Sequence, residues 1–338
     1  MAITRSFNNG FEVVDYTEEL LVIPNQWGTI GQLGLFVEES VAEHVVVFEE
    51  ITKDGNLIVD RVRGERSNVG KDATRKLHTF AVPHFPYDDS ISPQDLQGKR
   101  AYGGTGVETL EAVRIRKMER IRQNHAWTLE FARAQAITDS TVYSPNGTIS
   151  QNWQTEFGVT RLSVDFTLGT TTTDIISKIE AGLVQIMDNA NGEIMTGTVC
   201  LTSPEFFARL ISHPSVKTAY QYYQSTQEPL RARLGGTMTM HREFNFAGTR
   251  FLEMRDTFAG QRLIPVGKAY MVPTGTTSAF KTYFSPASRF GLVNTLGEEV
   301  YMFESADVKG TKIEIETESN FVNALLRPKM VVEFTTSN

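Results

Sequence analysis

Few residues of this chain sit at spacings that chemistry uses. Gly103-Gly-Thr-Gly106 opens a helical stretch, as phosphate-binding loops do, because free backbone N–H groups at a helix start attract anions. It has no strand before it, no Gly-Lys-Ser after it and no complete GxGxxG spacing, so it reads as a flexible entry into the helix. The six histidines, His44, His78, His84, His125, His213 and His241, are scattered, and with the single cysteine, Cys200, they give no metal-ligand spacing. His213, just before Pro214, reads as a helix-terminal residue. Asp88-Asp89 offers half of a carboxylate pair, but it stands in a Pro-rich stretch where such pairs are usually solvated. No Gly-x-Ser-x-Gly elbow occurs, so a hydrolase triad lacks its most legible part. The residues give no positive sign of catalysis, a metal or a cofactor, while a site assembled from distant residues stays open.

Composition narrows the class. At 338 residues the chain suits two domains or one elaborated domain. Its 40 % hydrophobic and 22 % charged content is that of a folded soluble protein. A formal charge of −7 disfavours a broad nucleic-acid footprint, which needs clustered Lys and Arg. One cysteine excludes an intrachain disulfide and fits a reducing cytosol. The N-terminus has no apolar signal region, and no stretch approaches the roughly 18 apolar residues of a membrane helix. Asn146-Gly-Thr148 therefore reads as turn chemistry.

The elements follow from periodicity and breakers. Residues 1–40 carry isolated apolar clusters, Leu20–Ile23 and Leu33–Phe36, between Pro and Gly, as an extended arm or an irregular N-terminal cap on its own domain would. Two β-rich runs within Val45–Val62 flank Asp54-Gly55-Asn56, which predicts a tight hairpin there. An isolated two-stranded hairpin is marginal in water, so it must lie against something. The stretch 104–137 predicts a long helix, with Thr105 and Glu108 as a capping box. It would be a rod of about 45–50 Å. Its apolar stripe, interrupted by Arg114 and Lys117, is that of a strut. Further on, Ser144–Gly147 predicts a hairpin, Val159–Leu168 a strand, Thr173 the cap of an amphipathic helix, and Val199–Leu201 a strand. Ser203-Pro204 predicts a helix start burying Phe206, Phe207, Leu210 and Ile211. Strands and turns dominate from Phe244, which makes the chain α+β. Eight Lys/Arg against four Asp/Glu fill 99–133, and the reverse holds for 298–333, so the two segments can pair within the fold or between subunits.

Several blocks, in order over about three quarters of the chain, carry a resemblance. They are Leu33-Gly-Leu-Phe36 leading into Val45–Val62 and Arg63-Gly64, then Cys200–Tyr220, then Phe244-Asn-Phe-Ala-Gly248 with Phe251. Pro273-Thr-Gly275, Tyr283–Ala287, Asn294-Thr-Leu-Gly297 with Tyr301, Glu318-Ser-Asn320 and Arg327-Pro328 complete the set. Each alone is weak, but the ordered set is specific. The chain resembles the lambda-type major capsid protein E family of tailed bacteriophages.

The resemblance implies the Hong Kong 97 capsid fold. Its parts would be an N-terminal arm (1–40), an extended β-hairpin loop (41–86) and a peripheral domain (87–172) with spine helix 104–137. An axial domain (173–297) and a return to the peripheral sheet (298–338) would follow. It implies a structural protein, no enzyme, that assembles as pentamers and hexamers into an icosahedral shell in the host bacterial cytoplasm. The shell would enclose double-stranded DNA without sequence-specific binding and expand on packaging. Separate scaffolding, decoration and portal proteins are implied, and no membrane or cofactor. Asp54, Gly55, Arg61, Arg63, Arg66 and Lys71 are then candidates for inter-subunit contacts, and Gly103, Gly104 and Gly106 for a spine hinge. Some relatives of the fold crosslink a loop lysine to an asparagine; Lys53, Lys71 and Lys76 could supply the amine, although no motif selects a partner. An encapsulin-like nanocompartment shares the fold, and a cytoplasmic α+β enzyme or ligand binder is the reading from a different class.

Overall fold

The computed structural model describes residues 3–6, 12–23, 28–52, 74–97, 109–222, 241–258, 260–307 and 310–337. Two sheets and one long helix organise them. The seven-stranded sheet joins β1 (Ile3–Ser6), β2 (Glu12–Asp15), β3 (Val37–Ser40), β6 (His84–Ile91), β14 (Phe280–Phe284), β15 (Tyr301–Ala306) and β16 (Ile313–Leu325). Strand β16 ties it together: its first residues pair antiparallel with β15 and β6, its last five with β14. The six-stranded sheet runs β7 (Ser163–Asp165), β17 (Val332–Thr335), β13 (Ala269–Thr274), β8 (Gly197–Thr202), β10 (Thr249–Glu253) and β9 (Glu243–Phe246). The C-terminal segment thus serves both sheets, β15 and β16 one and β17 the other. Two small antiparallel pairs remain, β4 (Val45–Thr52) with β5 (Thr74–Ala81), and β11 (Thr257–Phe258) with β12 (Gln261–Arg262).

Helices α1 (Thr17–Val22) and α2 (Thr29–Gln32) belong to the N-terminal segment, followed by the long α3 (Leu110–Thr138) and the short α4 (Trp153–Glu156). Helix α5 (Ile175–Asp188) buries Ile175, Ile179 and Ile186. Helices α6 (Pro204–Ser212) and α7 (Pro214–Tyr222) follow β8. The largest core cluster joins the six-stranded sheet, α5, α6 and the end of α3 around Trp153, Phe166, Phe206, Tyr270 and Phe334. A smaller one seats the start of α3, through Val113, Met118 and Ile121, on Ile91, Met302 and Ile315 of the other sheet.

Several expectations shift. The helix starts at Leu110, where the extended Thr109 accepts a hydrogen bond from Ala112 N; Thr105 and Glu108 lie outside the described residues. At 29 residues it spans about 44 Å. It is no strut from Arg122 onward, because Arg122, His125, Glu130 and Arg133 are buried there beside Leu129, Ala132 and Ile137. The turn expected at Asp54-Gly55-Asn56 lies outside the described residues; within them β4 pairs with β5 in the register Val45↔Ala81 to Thr52↔Thr74. That register brings Val46 opposite Phe80, which places both on the buried face. Ordered pairing in the stretch 159–168 is limited to the three residues of β7, because Val159 and Arg161 give their N–H groups to the backbone and side chain of Gln154. Asp174, not Thr173, caps α5, its carboxylate accepting from Ile176 N and Ser177 N. Ser203 caps α6 as read, with Phe206, Phe207 and Leu210 buried and Ile211 half-buried. The Ser144–Gly147 turn is present, closed by Gly147 N donating to Ser144 O.

Candidate assembly surfaces

The charge opposition in the sequence is realised within the chain. Arg114 on α3 holds Glu304 of β15 by two bonds of 2.8 Å, and Arg122 reaches Glu299 at 2.6 Å. Asp88-Asp89 lies on strand β6, in no loop, and Asp89 is paired: Lys117 Nζ donates to it at 2.8 Å and Arg120 also donates. Burial pushes the Asp89 carboxyl up, but Lys117, the Ser90 N–H and Arg120 outweigh it and hold it below the usual range. Arg133 bridges Glu38 of β3 and Thr282 of β14. At the far end of α3, Arg161 donates to the carbonyls of Ile137 and Thr138 at 2.6 Å each, supplying the cation that the last turn lacks. Periodicity cannot show such partners, so a helix with buried charges reads as a solvated one.

The β4–β5 ribbon carries apolar residues on both faces, with the Glu49–Arg75 pair on the outer one. Alternation sends Val46, Phe48, His78 and Phe80 to one side and Val45, Val47, Leu77 and Ala81 to the other. The first side is rooted on the chain itself: Phe80 meets Trp153 edge-on at 4.7 Å and Phe48 meets Tyr283 at 5.1 Å. His78 is fully buried between Glu156 of α4 at 2.7 Å and Glu50 at 3.0 Å. The second side is uncovered, with Val47 52 % and Leu77 65 % exposed. Asp54, Gly55, Arg61, Arg63, Arg66 and Lys71 all lie outside the described residues, as do Gly103, Gly104 and Gly106. Of the three lysines considered for crosslinking, Lys53 and Lys71 lie outside them too, and Lys76 donates to the Glu156 carbonyl at 3.4 Å.

A second apolar surface had no sequence signal. The loop after β14 presents Phe290, 91 % exposed, with Val293 and Leu296. Its roots are fixed. Arg289 lies over the Phe303 ring at 4.3 Å and pairs with Glu316, and Gly297 approaches the backbone so closely that a β-carbon would sit 2.3 Å from Phe284 O. That approach gives the Asn294–Gly297 block its physical reason, with Asn294 in the left-handed region at φ 61°. The Glu318–Asn320 block is likewise a bonding site: Ser319 Oγ meets buried His125 at 2.9 Å, and Asn320 Nδ2 donates to Pro286 O at 3.0 Å. Burial, with Arg122 adding to it, lowers the His125 imidazole to about 4. A groove of about 520 Å³ runs beside the loop between Phe290, Phe303, His84 and Glu318, and two others of about 450 and 440 Å³ are similar in size. Among the described residues no His, Cys, Asp and Glu cluster could hold a metal, and no helix is long and apolar enough to cross a membrane.

The long helix α3 packed against the seven-stranded sheet, the ribbon with one uncovered face and the exposed Phe290 loop make an α+β subunit with apolar surface to spare, the class of protein that assembles. The structure aligns with the mature capsid of bacteriophage PhiM1 at a TM-score of 0.55 and 10 % identity, over 90 % of this chain and 85 % of that one. It aligns with the capsid of Myoviridae phage XM1 at 0.54 and 10 % identity, over 91 % of each. The chain belongs to the phage major capsid protein E family, whose model matches residues 12–336. It is 46 % identical over 342 residues to the major capsid protein of Pseudomonas phage KPP10, covering 97 % of each, and 27 % identical over 361 residues to that of Salmonella phage Felix O1, covering 98 % of each. The family is one of structural capsid proteins.

Proposed function

We propose that this chain builds the head of a tailed, double-stranded DNA bacteriophage. Copies join through head-to-tail contacts in rings of five and six, and the rings close into an icosahedral shell. Each contact is modest, and their number makes the shell stable. The observation that carries this reading is the ribbon, with apolar residues on both faces and only one face covered by its own chain. A neighbouring copy is the natural cover for the other face. Asp54, Gly55, Arg61, Arg63, Arg66 and Lys71 follow β4 in sequence and are the contacts proposed for that neighbour.

The division into arm 1–40, loop 41–86, peripheral 87–172, axial 173–297 and return 298–338 is kept as a proposal, with β14 and β17 pairing across it. Assembly takes place in the host bacterial cytoplasm, with separate scaffolding, decoration and portal proteins. The shell expands as DNA enters, with Gly103, Gly104 and Gly106 bending at the foot of the spine. Replacing these glycines with alanine should block expansion and leave assembly intact; normal expansion removes the hinge from the proposal. The first test is electron microscopy of the purified protein, alone and with its scaffold. Closed shells or five- and six-fold rings support the reading, and small oligomers in both samples overturn it.

A further inference from the structure

The groove of about 520 Å³ beside the Phe290 loop lies on the face of the seven-stranded sheet turned away from α3. Strand β16 sets that face: Thr317 and Ser319 meet His125 of α3, so by alternation Glu316 and Glu318 point the other way. Phe303 of β15 and Asp88 of β6 stand opposite Glu316 on either side and share its face. Phe303, Val13 and Pro86 give the groove its apolar lining, and Asp88, Glu316 and Glu318 its charge. Phe290 borders the groove yet is 91 % exposed, so the ring does not fill the groove of its own chain. Glu316 is paired with Arg289, and Glu318 accepts from Ser288 N and lies 3.2 Å from His84. The exposed Asp88 carboxylate has no partner among the described residues. Arg289 gives Nη2 to Glu316 and keeps further N–H groups for a second acceptor.

One patch therefore carries an apolar knob, an apolar groove, an unpaired anion and a cation with donors to spare. Such a patch is complementary to a second copy of itself. When Phe290 of one copy enters the groove of another, a half-turn brings the second Phe290 to the first groove and each Arg289 toward the other's Asp88. On the outer ribbon face, by contrast, Glu49 and Arg75 already pair at 4.0 Å, so that face has no free anion of this kind to offer Arg289. We propose that the Phe290 loop and its groove join two copies about a two-fold axis, the Phe290 ring of each seated in the groove of the other. A contact whose two halves lie in one patch closes in pairs, whereas a head-to-tail contact needs two separate patches. On the shell-building function proposed above, the pair links subunits of adjacent rings, because contacts within a ring run head to tail.

Photocrosslinking in assembled shells tests this. Phe290 is replaced by p-benzoylphenylalanine, which keeps an aromatic knob and bonds on irradiation to whatever it touches. Shells are built from equal parts of isotope-labelled and unlabelled chain, so that a crosslink between copies joins a heavy peptide to a light one. The expected products join the loop to residues 12–15, 84–88 or 301–303 of another copy and run as dimers on a denaturing gel. Heavy–light crosslinks to the β4–β5 ribbon, a ladder beyond the dimer, or crosslinks confined to single copies overturn the paired contact. Shells that form normally without the expected crosslink overturn it as well and leave the shell reading standing, whereas a parent chain that forms no shells removes both. If the bulkier ring prevents assembly, Asp88→Lys decides, because it sets a cation opposite the Arg289 of the other copy. It should raise the concentration at which shells form about tenfold while leaving the Tm of the unassembled chain unchanged. Assembly of Asp88→Lys at the parent concentration overturns the contact.

Discussion

At the scale of single residues, Glu193 shows how a carboxylate can bind two segments chiefly through neutral donors. Its side chain is 3 % exposed and accepts from Thr277 N at 2.6 Å, Ser278 N at 2.8 Å and both hydroxyls, with the Arg327 guanidinium at 3.4 Å. Burial pushes its carboxyl up, but the Ser278 and Thr277 donors prevail and hold it at about 2. A depressed carboxyl contributes stability that is present above its ordinary value and lost as pH falls through the depressed one. Glu193→Gln should therefore forfeit up to about 3 kcal/mol at neutral pH and flatten the loss of stability below about pH 4.5. Denaturant unfolding across that range measures it; a variant as acid-labile as the parent assigns the acid transition elsewhere. Gly297 makes a complementary case from sterics. Its missing β-carbon is replaced by Phe284 backbone, which cannot yield as a flexible side chain would. Gly297→Ala should cost about 1–3 kcal/mol, read as a lowered Tm.

At the scale of elements, the ribbon is the least self-sufficient part of the molecule. Two strands alone are marginal, so its order depends on the Phe80–Trp153 and Phe48–Tyr283 contacts at its root. Phe80→Ala should cost about 3–5 kcal/mol, with the earliest loss of hydrogen-exchange protection in β4 and β5. A uniform loss across both sheets would show that the ribbon and body unfold as one unit. The same element marks how far the sequence could be read. The β-rich residues of Val45–Thr52 revealed a strand, because strand propensity is a local property. Its partner was not local: Val46 meets Phe80 and Phe48 meets His78, residues no short-range pattern links to β4. Helix α3 repeats the lesson. Its existence followed from composition, while its burial rests on Glu38, Glu299, Glu304 and Asp89, each distant in sequence. The Phe290 loop gave no signal at all, since an exposed aromatic and a buried one look alike in a sequence. The ordered motif blocks were legible because Gly297, Ser319 and Asn320 answer to backbone and buried-polar constraints that admit few residue types.

At the scale of the whole molecule, the decisive distinction is between contacts that hold one subunit and contacts that hold a shell. Phe290 separates them. It is 91 % exposed and touches little of its own chain, while Arg289 beside it is pinned on Phe303 and Glu316. Phe290→Asp should therefore shift the unfolding of the unassembled chain by no more than about 0.5 kcal/mol. In a shell the same ring, once covered by a neighbour, contributes about 1.5–3 kcal/mol, and the change recurs in every copy. With each 1.4 kcal/mol a factor of ten in association, the concentration at which shells form should rise at least about tenfold. Light scattering against protein concentration, with micrographs of the same samples, reads the assembly. Thermal unfolding of the unassembled chain reads the fold. Assembly at the parent concentration would take Phe290 out of the interface, leaving the outer ribbon face as the surface to test. A drop in Tm large enough to account for lost assembly would make the residue a support of its own subunit. Raised assembly concentration with an unchanged Tm is the one combination in which the exposed loop belongs to the shell.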